Sequence, residues 1–159
     1  MMVLPIIAFP QFRDLPNPPA NQQILPGGSY VIAMDNTNQV NNAGDFNLKS
    51  YGLVVFLLNH NKKLKWIITA GKMKDGIDFS VVAAKIKPSL VSESMQVYNF
   101  KAGPFVLFAP DTAGVCGMVD SFYYNPTGAT TAKSLMGNDR PSIYRTLTDV
   151  VVDIRYDLY

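Results

Sequence analysis

Apolar residues fall in short blocks along the chain, each closed by Gly, Pro, Asn or Asp. Gly27-Gly28 opens the first block and predicts a strand over 29–34. A polar loop follows over 35–45, carrying Asn36, Asn38, Asn41, Asn42 and, just beyond it, Asn47. Residues 53–58 are apolar on both faces, which predicts a central strand covered on both sides. Asn59-His60-Asn61-Lys62-Lys63 is turn chemistry. The chain then returns as a strand over 64–69, with Leu64, Trp66 and Ile68 on one face. Together these predict a β-hairpin.

Further strands are expected over 77–86, 97–101, 105–109, 115–124 and 147–158. The pair 97–101 and 105–109 reads as a second hairpin turning at Ala102-Gly103-Pro104. Residues 88–96 are ambiguous: Pro88 can start a short helix, or Met95 can begin the next strand. Residues 125–142 form a long loop rich in Gly, Thr, Ser and Asn, and loops of that length in compact domains are usually functional or mobile. In the last strand Ile154, Tyr156 and Leu158 alternate with Asp153, Arg155 and Asp157. The pattern contains no clear helix. It predicts an all-β fold over 29–159, an antiparallel β-sandwich, jelly-roll or barrel of about eight strands.

Residues 1–28 break this rhythm. Six of the eleven prolines lie there, with only Arg13 and Asp14 charged. Proline fixes φ and removes a ladder donor, so an extended arm is expected, with an edge strand plus loop of the same domain as the alternative. Ile6, Ile7, Phe9 and Phe12 give that arm apolar side chains that seek cover on its own body or on a neighbouring chain.

Composition supports the β reading. Asp outnumbers Glu 11 to 1, and there are 12 Asn. Glu favours helix interiors, whereas Asp and Asn favour turns and caps. Charged residues are 16% of the chain, against roughly 25% in ordinary soluble domains. Hydrophobic residues reach 48%, which excludes a disordered chain. The first residues lack a basic segment and do not look like a signal peptide. The longest apolar run is far short of the roughly 18 residues a membrane span needs, so no membrane is expected.

The net charge of +2 hides a basic middle. Residues 49–101 carry nine Lys against Asp75, Asp78 and Glu93. Lys62, Lys63, Lys65, Lys72 and Lys74 crowd the first predicted hairpin and its exit. Either they meet an acidic protein surface, or they are a solvated, aggregation-resistant edge. Nucleic acid is not expected, because no Arg lies between Arg13 and Arg140.

Catalytic patterns are sparse. A lone His60 and a lone Cys116 offer too few ligands for a zinc site. Gly114-Val115-Cys116-Gly117 resembles the nucleophile turn of chymotrypsin-like viral cysteine proteases, with His60 upstream in the matching order and Asp75 or Asp78 to orient it. The simpler expectation is a buried structural Cys in a strand, closely packed beside Gly114 and Gly117. Asp149, Asp153 and Asp157 recur every four residues, but in a strand they read as exposed positions and not as a metal site. Tyr123, Tyr124 and Tyr144 join the candidate interface, since Tyr suits surfaces buried by a partner.

In organisation, a small charge-poor β chain with a Pro-rich arm resembles the virion structural proteins of tailed bacteriophages, especially capsid cement or decoration proteins and small neck or tail proteins. That resemblance implies a non-enzymatic protein without a cofactor, made in the host cytoplasm and carried in the virion. It further implies binding to the major capsid protein or another virion protein, often as a trimer or other homo-oligomer. The alternative is a small β-domain that binds a carbohydrate or other small ligand through loops 35–47 and 125–142.

Overall fold

The computed structural model describes residues 18–88, 94–126 and 134–159. Eight strands run through them: β1 (Gln22–Leu25), β2 (Tyr30–Ile32), β3 (Leu64–Ile67), β4 (Ile77–Lys87), β5 (Gln96–Lys101), β6 (Phe105–Leu107), β7 (Ile143–Thr146) and β8 (Val150–Leu158). They form one sheet in the order β1-β8-β3-β6-β2-β7-β4-β5, antiparallel throughout. Two helices complete it, α1 (Lys49–Asn59) and α2 (Val115–Tyr124).

Alternation along the strands divides the core in two. Ile32, Leu64, Phe105, Leu107 and Ile143 point to one face, where Leu53, Val54 and Leu57 of α1 and Val115, Val119 and Phe122 of α2 cover them. Val31, Ile67, Val81, Phe100, Val106, Tyr144, Val152 and Ile154 point to the other. Among the described residues, no helix covers that second face. The sheet instead curls into a half-barrel and fills the concavity with its own side chains.

Buried aspartates close the curl. Asp78 of β4 accepts the Thr69 N–H at 3.0 Å, and Asp153 of β8 accepts the next one, from Ala70, at 2.7 Å. Two strands far apart in the sheet order are thereby stitched to one short loop. Asp35 works similarly at the other end, accepting the Thr37 and Asn38 N–H groups at 2.9 and 2.8 Å. A short carboxylate reaches nearby backbone donors, a role that suits Asp at these three positions.

Several sequence expectations need correction. Residues 53–58 are not a strand but the body of α1, so the first predicted hairpin does not exist. The helix buries Ser50, Leu53, Val54 and Leu57, a helical spacing. It begins where Asn47 Oδ1 accepts the Lys49 N–H at 3.0 Å. It ends at Asn61, whose φ of 57° lets Asn61 and Lys62 donate back to Leu58 O and Leu57 O.

Residues 115–124 are likewise helical, with Val115, Val119, Phe122 and Tyr123 on the buried side. Buried Lys87 meets both Asp120 oxygens at 2.6 Å and fixes α2 to the end of β4. The second predicted hairpin also fails: β5 pairs with β4, whereas β6 lies between β3 and β2. Positive φ at Ala102 and Gly103 carries the chain away.

Residues 22–25, placed in the arm, pair with β8 as a sheet strand. Ile6, Ile7, Phe9 and Phe12 lie outside the described residues. In β8 a register shift opposite Trp66/Ile67 breaks the alternation. Ile154 therefore joins the concave core while Leu158 packs on the helix side. Asp153 is buried, not exposed.

Candidate interaction site

Helix α1 is apolar on both sides. Its outer side presents Tyr51 and Val55, 50% and 56% exposed, with Leu48 just before it. Lys49 is its only charged residue. A helix hydrophobic all round belongs in an interior. Here a cleft of about 540 Å³ lies along that outer side, walled by Tyr51, Gly52, Val55, Phe56, Asn59, His60 and Pro126. Tyr124, at the end of α2, adds a further exposed ring. Of these residues the sequence marks only Tyr124 as an interface candidate, because 53–58, apolar on both faces, reads as a doubly covered strand.

The lysine cluster does not form an edge. β3 lies inside the sheet, between β8 and β6, so the solvated-edge expectation for Lys62, Lys63 and Lys65 has no edge to act on. Lys65 pairs with Asp157 at 2.5 Å and lies 5.0 Å from the Phe108 ring centre. Lys62 donates to Ala113 O at 2.7 Å. Lys63 lines a small neighbouring cleft with Asp111 and Asp157. The outer edges are β1 and β5, and loop side chains shield β5: Asn38 Nδ2 donates to Asn99 O at 2.9 Å, and the Lys101 N–H reaches Asp35 at 3.4 Å.

A second cleft, of about 460 Å³, opens beside β3 and β8. Its walls include Trp66, Ile68, Lys72, Lys74, Arg155 and Tyr156. Trp66 is directly opposite Phe105 on one neighbouring strand and Tyr156 on the other. The three rings form a ladder with centroids 5.7 and 5.9 Å apart and planes within 11° and 22°. The Trp66 indole N–H donates to Gly103 O at 2.9 Å. Lys72 pairs at 2.6 Å with Asp78, whose side chain is closed to solvent.

Of the predicted interface tyrosines, only Tyr124 is at the surface. Tyr123 and Tyr144 are 2% and 3% exposed. Tyr144 donates its hydroxyl to Asn38 O at 2.6 Å, and Tyr123 donates to Pro141 O. Burial, and then the Asp120 charge, push the Tyr123 hydroxyl well above its ordinary value of 10. Its folded-state pKa thus exceeds the unfolded one, so the stability this tyrosine brings is complete below pH 10 and lost as pH rises beyond it. Tyr123→Phe is expected to cost about 1 kcal/mol at neutral pH. It should also flatten the alkaline decline in thermal melts recorded between pH 9 and pH 11, a window bracketing the ordinary value of 10.

Cys116 and His60 are not brought together by any described contact. His60 Nδ1 bonds Phe56 O at 2.8 Å and its ring rests on Phe56. Cys116 occupies the first turn of α2, not a strand, with Sγ 3.6 Å from the Tyr30 hydroxyl. A Cβ at Gly114 or Gly117 would meet nothing within 4 Å, so the expected tight packing is absent there. Burial and the hydrogen bond with Cys116 raise the Tyr30 pKa to about 12.

Among the described residues, no cluster of three or more His, Cys, Asp or Glu could hold a metal ion, and no helix is long and apolar enough to cross a membrane. In loop 35–47, Asn41 accepts the Ala43 and Asp45 N–H groups, while Asn42 and Asn47 donate to Met136 O and Asn138 O. The Asn41, Asn42 and Asn47 amides are thus committed to backbone partners.

Fold and surfaces together define an antiparallel half-barrel faced by two helices, one of them apolar on its outer side. Neither protein-family models, nor curated proteins, nor solved structures gave a match to this chain.

Proposed function

We propose that this chain is a non-enzymatic structural protein of a virion, which binds neighbouring capsid or tail subunits and stabilises the particle. The outer side of α1 carries the proposal. Tyr51 and Val55 expose apolar area that folding alone does not bury, and contiguous apolar patches of this kind mark protein contacts. The N-terminal arm supplies a second attachment through Ile6, Ile7 and Phe9. Prolines preorganise it and reduce the entropy lost on docking. The ligand-binding alternative finds less support, since Asn41, Asn42 and Asn47 of loop 35–47 serve the loop's own backbone and its neighbours.

Two measurements test the proposal. In the double variant Tyr51→Lys, Val55→Lys both positions are solvent-facing, so the melting temperature should stay close to that of the parent. Self-association, followed by sedimentation and light scattering, should be lost. An unchanged mass distribution removes α1 as the contact. Mass spectrometry of purified virions should find the chain as a component, and its absence there ends the virion reading.

A further inference from the structure

We propose that the cleft beside β3 and β8 receives residues 12–17 of the same chain, laid in extended form against Trp66 and Tyr156. The proposal deepens the arm reading and rests on it.

Position is the first argument. Followed backwards from β1, the chain stays antiparallel to β8. The Asn21 N–H donates to Asp153 at 2.7 Å, and the Ile154 N–H donates to Asn21 O at 3.0 Å. Pro18 then forms part of the cleft wall, alongside Arg155 and Tyr156. The residues preceding Pro18 thus start at the mouth of the cleft, with no gap to cross.

Chemistry is the second. Phe12, Leu15 and Pro16 lead into Pro18-Pro19. Proline-bearing extended segments dock in aromatic-lined grooves because their backbone is already ordered. The Phe105–Trp66–Tyr156 ladder ends at Tyr156, on the side from which the segment approaches. A proline or leucine there continues the apolar stack.

Charge is the third. Lys72, Lys74 and Arg155 contribute to the wall. Asp14 is the only acidic residue in 1–28. In an extended chain adjacent side chains point opposite ways, so Asp14 can face these cations while Arg13 faces solvent. Residues before 12, including Ile6, Ile7 and Phe9, are left to reach a neighbour.

Full-length chains, half of them labelled with a heavy nitrogen isotope, are mixed and treated with a zero-length carbodiimide. Peptides joining Asp14 to Lys72 or Lys74 are then read by mass spectrometry. Links only between chains of like label are expected. Mixed-label links assign the cleft to a second copy and overturn the proposal, as does the absence of any link. Trp66 is the only tryptophan, so its fluorescence reports on the cleft alone. In full-length Asp14→Lys, Leu15→Asp its emission should shift to the red and iodide should quench it more strongly. Emission and quenching equal to the parent's also overturn the proposal. Both readouts are internal to one chain, so they succeed or fail independently of whether the protein is found in virions.

Discussion

Asp78→Ala should lower the melting temperature by about 10 °C, the equivalent of about 3–5 kcal/mol in a chain of this size. The carboxylate joins three separate pieces of chain. It accepts the Thr69 N–H at 3.0 Å, the Gly103 N–H at 2.9 Å and the Lys72 ammonium at 2.6 Å. Alanine leaves two backbone donors and one cation without their acceptor, in a place water hardly reaches. It also opens the seam between β4 and β8. Adding Lys72→Met to Asp78→Ala should recover part of the loss, because the stranded charge is then gone. Thermal melts of the parent, both single variants and the double variant measure the coupling. A loss below about 1 kcal/mol for Asp78→Ala, the usual size for a surface pair, refutes the seam role.

Gly103→Ala should rank next, costing about 2–4 kcal/mol. Gly103 has φ 75°, a conformation that costs an L-residue roughly 1–2 kcal/mol. An added Cβ would also lie 2.6 Å from Trp66 Nε1. Overpacking of this kind typically costs about 1–3 kcal/mol. The displaced indole would lose its bond to Gly103 O, and the ladder on Phe105 and Tyr156 would shift with it. Near-ultraviolet circular dichroism of Trp66 should therefore change along with the melting temperature. A variant with the parent's spectrum and melting point contradicts this packing.

The strands were largely legible because their evidence is local. Blocks such as 77–86 and 97–101 alternate or run apolar between turn residues, and the structure keeps them as β4 and β5. The helices were not legible, for two different reasons. In α1 both sides are apolar, so 53–58 shows no period to separate helix from buried strand. In α2 the spacing of Val115, Val119, Phe122 and Tyr123 was helical, but Val, Phe and Tyr favour strands and outweighed it. Pairing was hidden as well, since it depends on chain direction after Ala102-Gly103, which no hydrophobic pattern reports. At the candidate site, Trp66 and the lysines were noticed in sequence. Their joining with Arg155 and Tyr156 depends on β8 lying beside β3, a contact between residues some ninety positions apart, such as Trp66 and Tyr156. The outer side of α1 could not be foreseen once its segment had been read as a strand.

The junction at Asn21 also has a mechanical side. This residue holds β8 through three bonds: its N–H to Asp153, its carbonyl to the Ile154 N–H, and its side-chain amide to Ile154 O. Among the described residues, tension from the N-terminal side enters the sheet there first. A pull along the strand axis loads the four β1–β8 pairs together. A pull away from the sheet opens them one after another, starting at Asn21. The joint is stiff lengthwise and peels crosswise, so the direction of a pull, as much as its size, governs when β1 leaves β8.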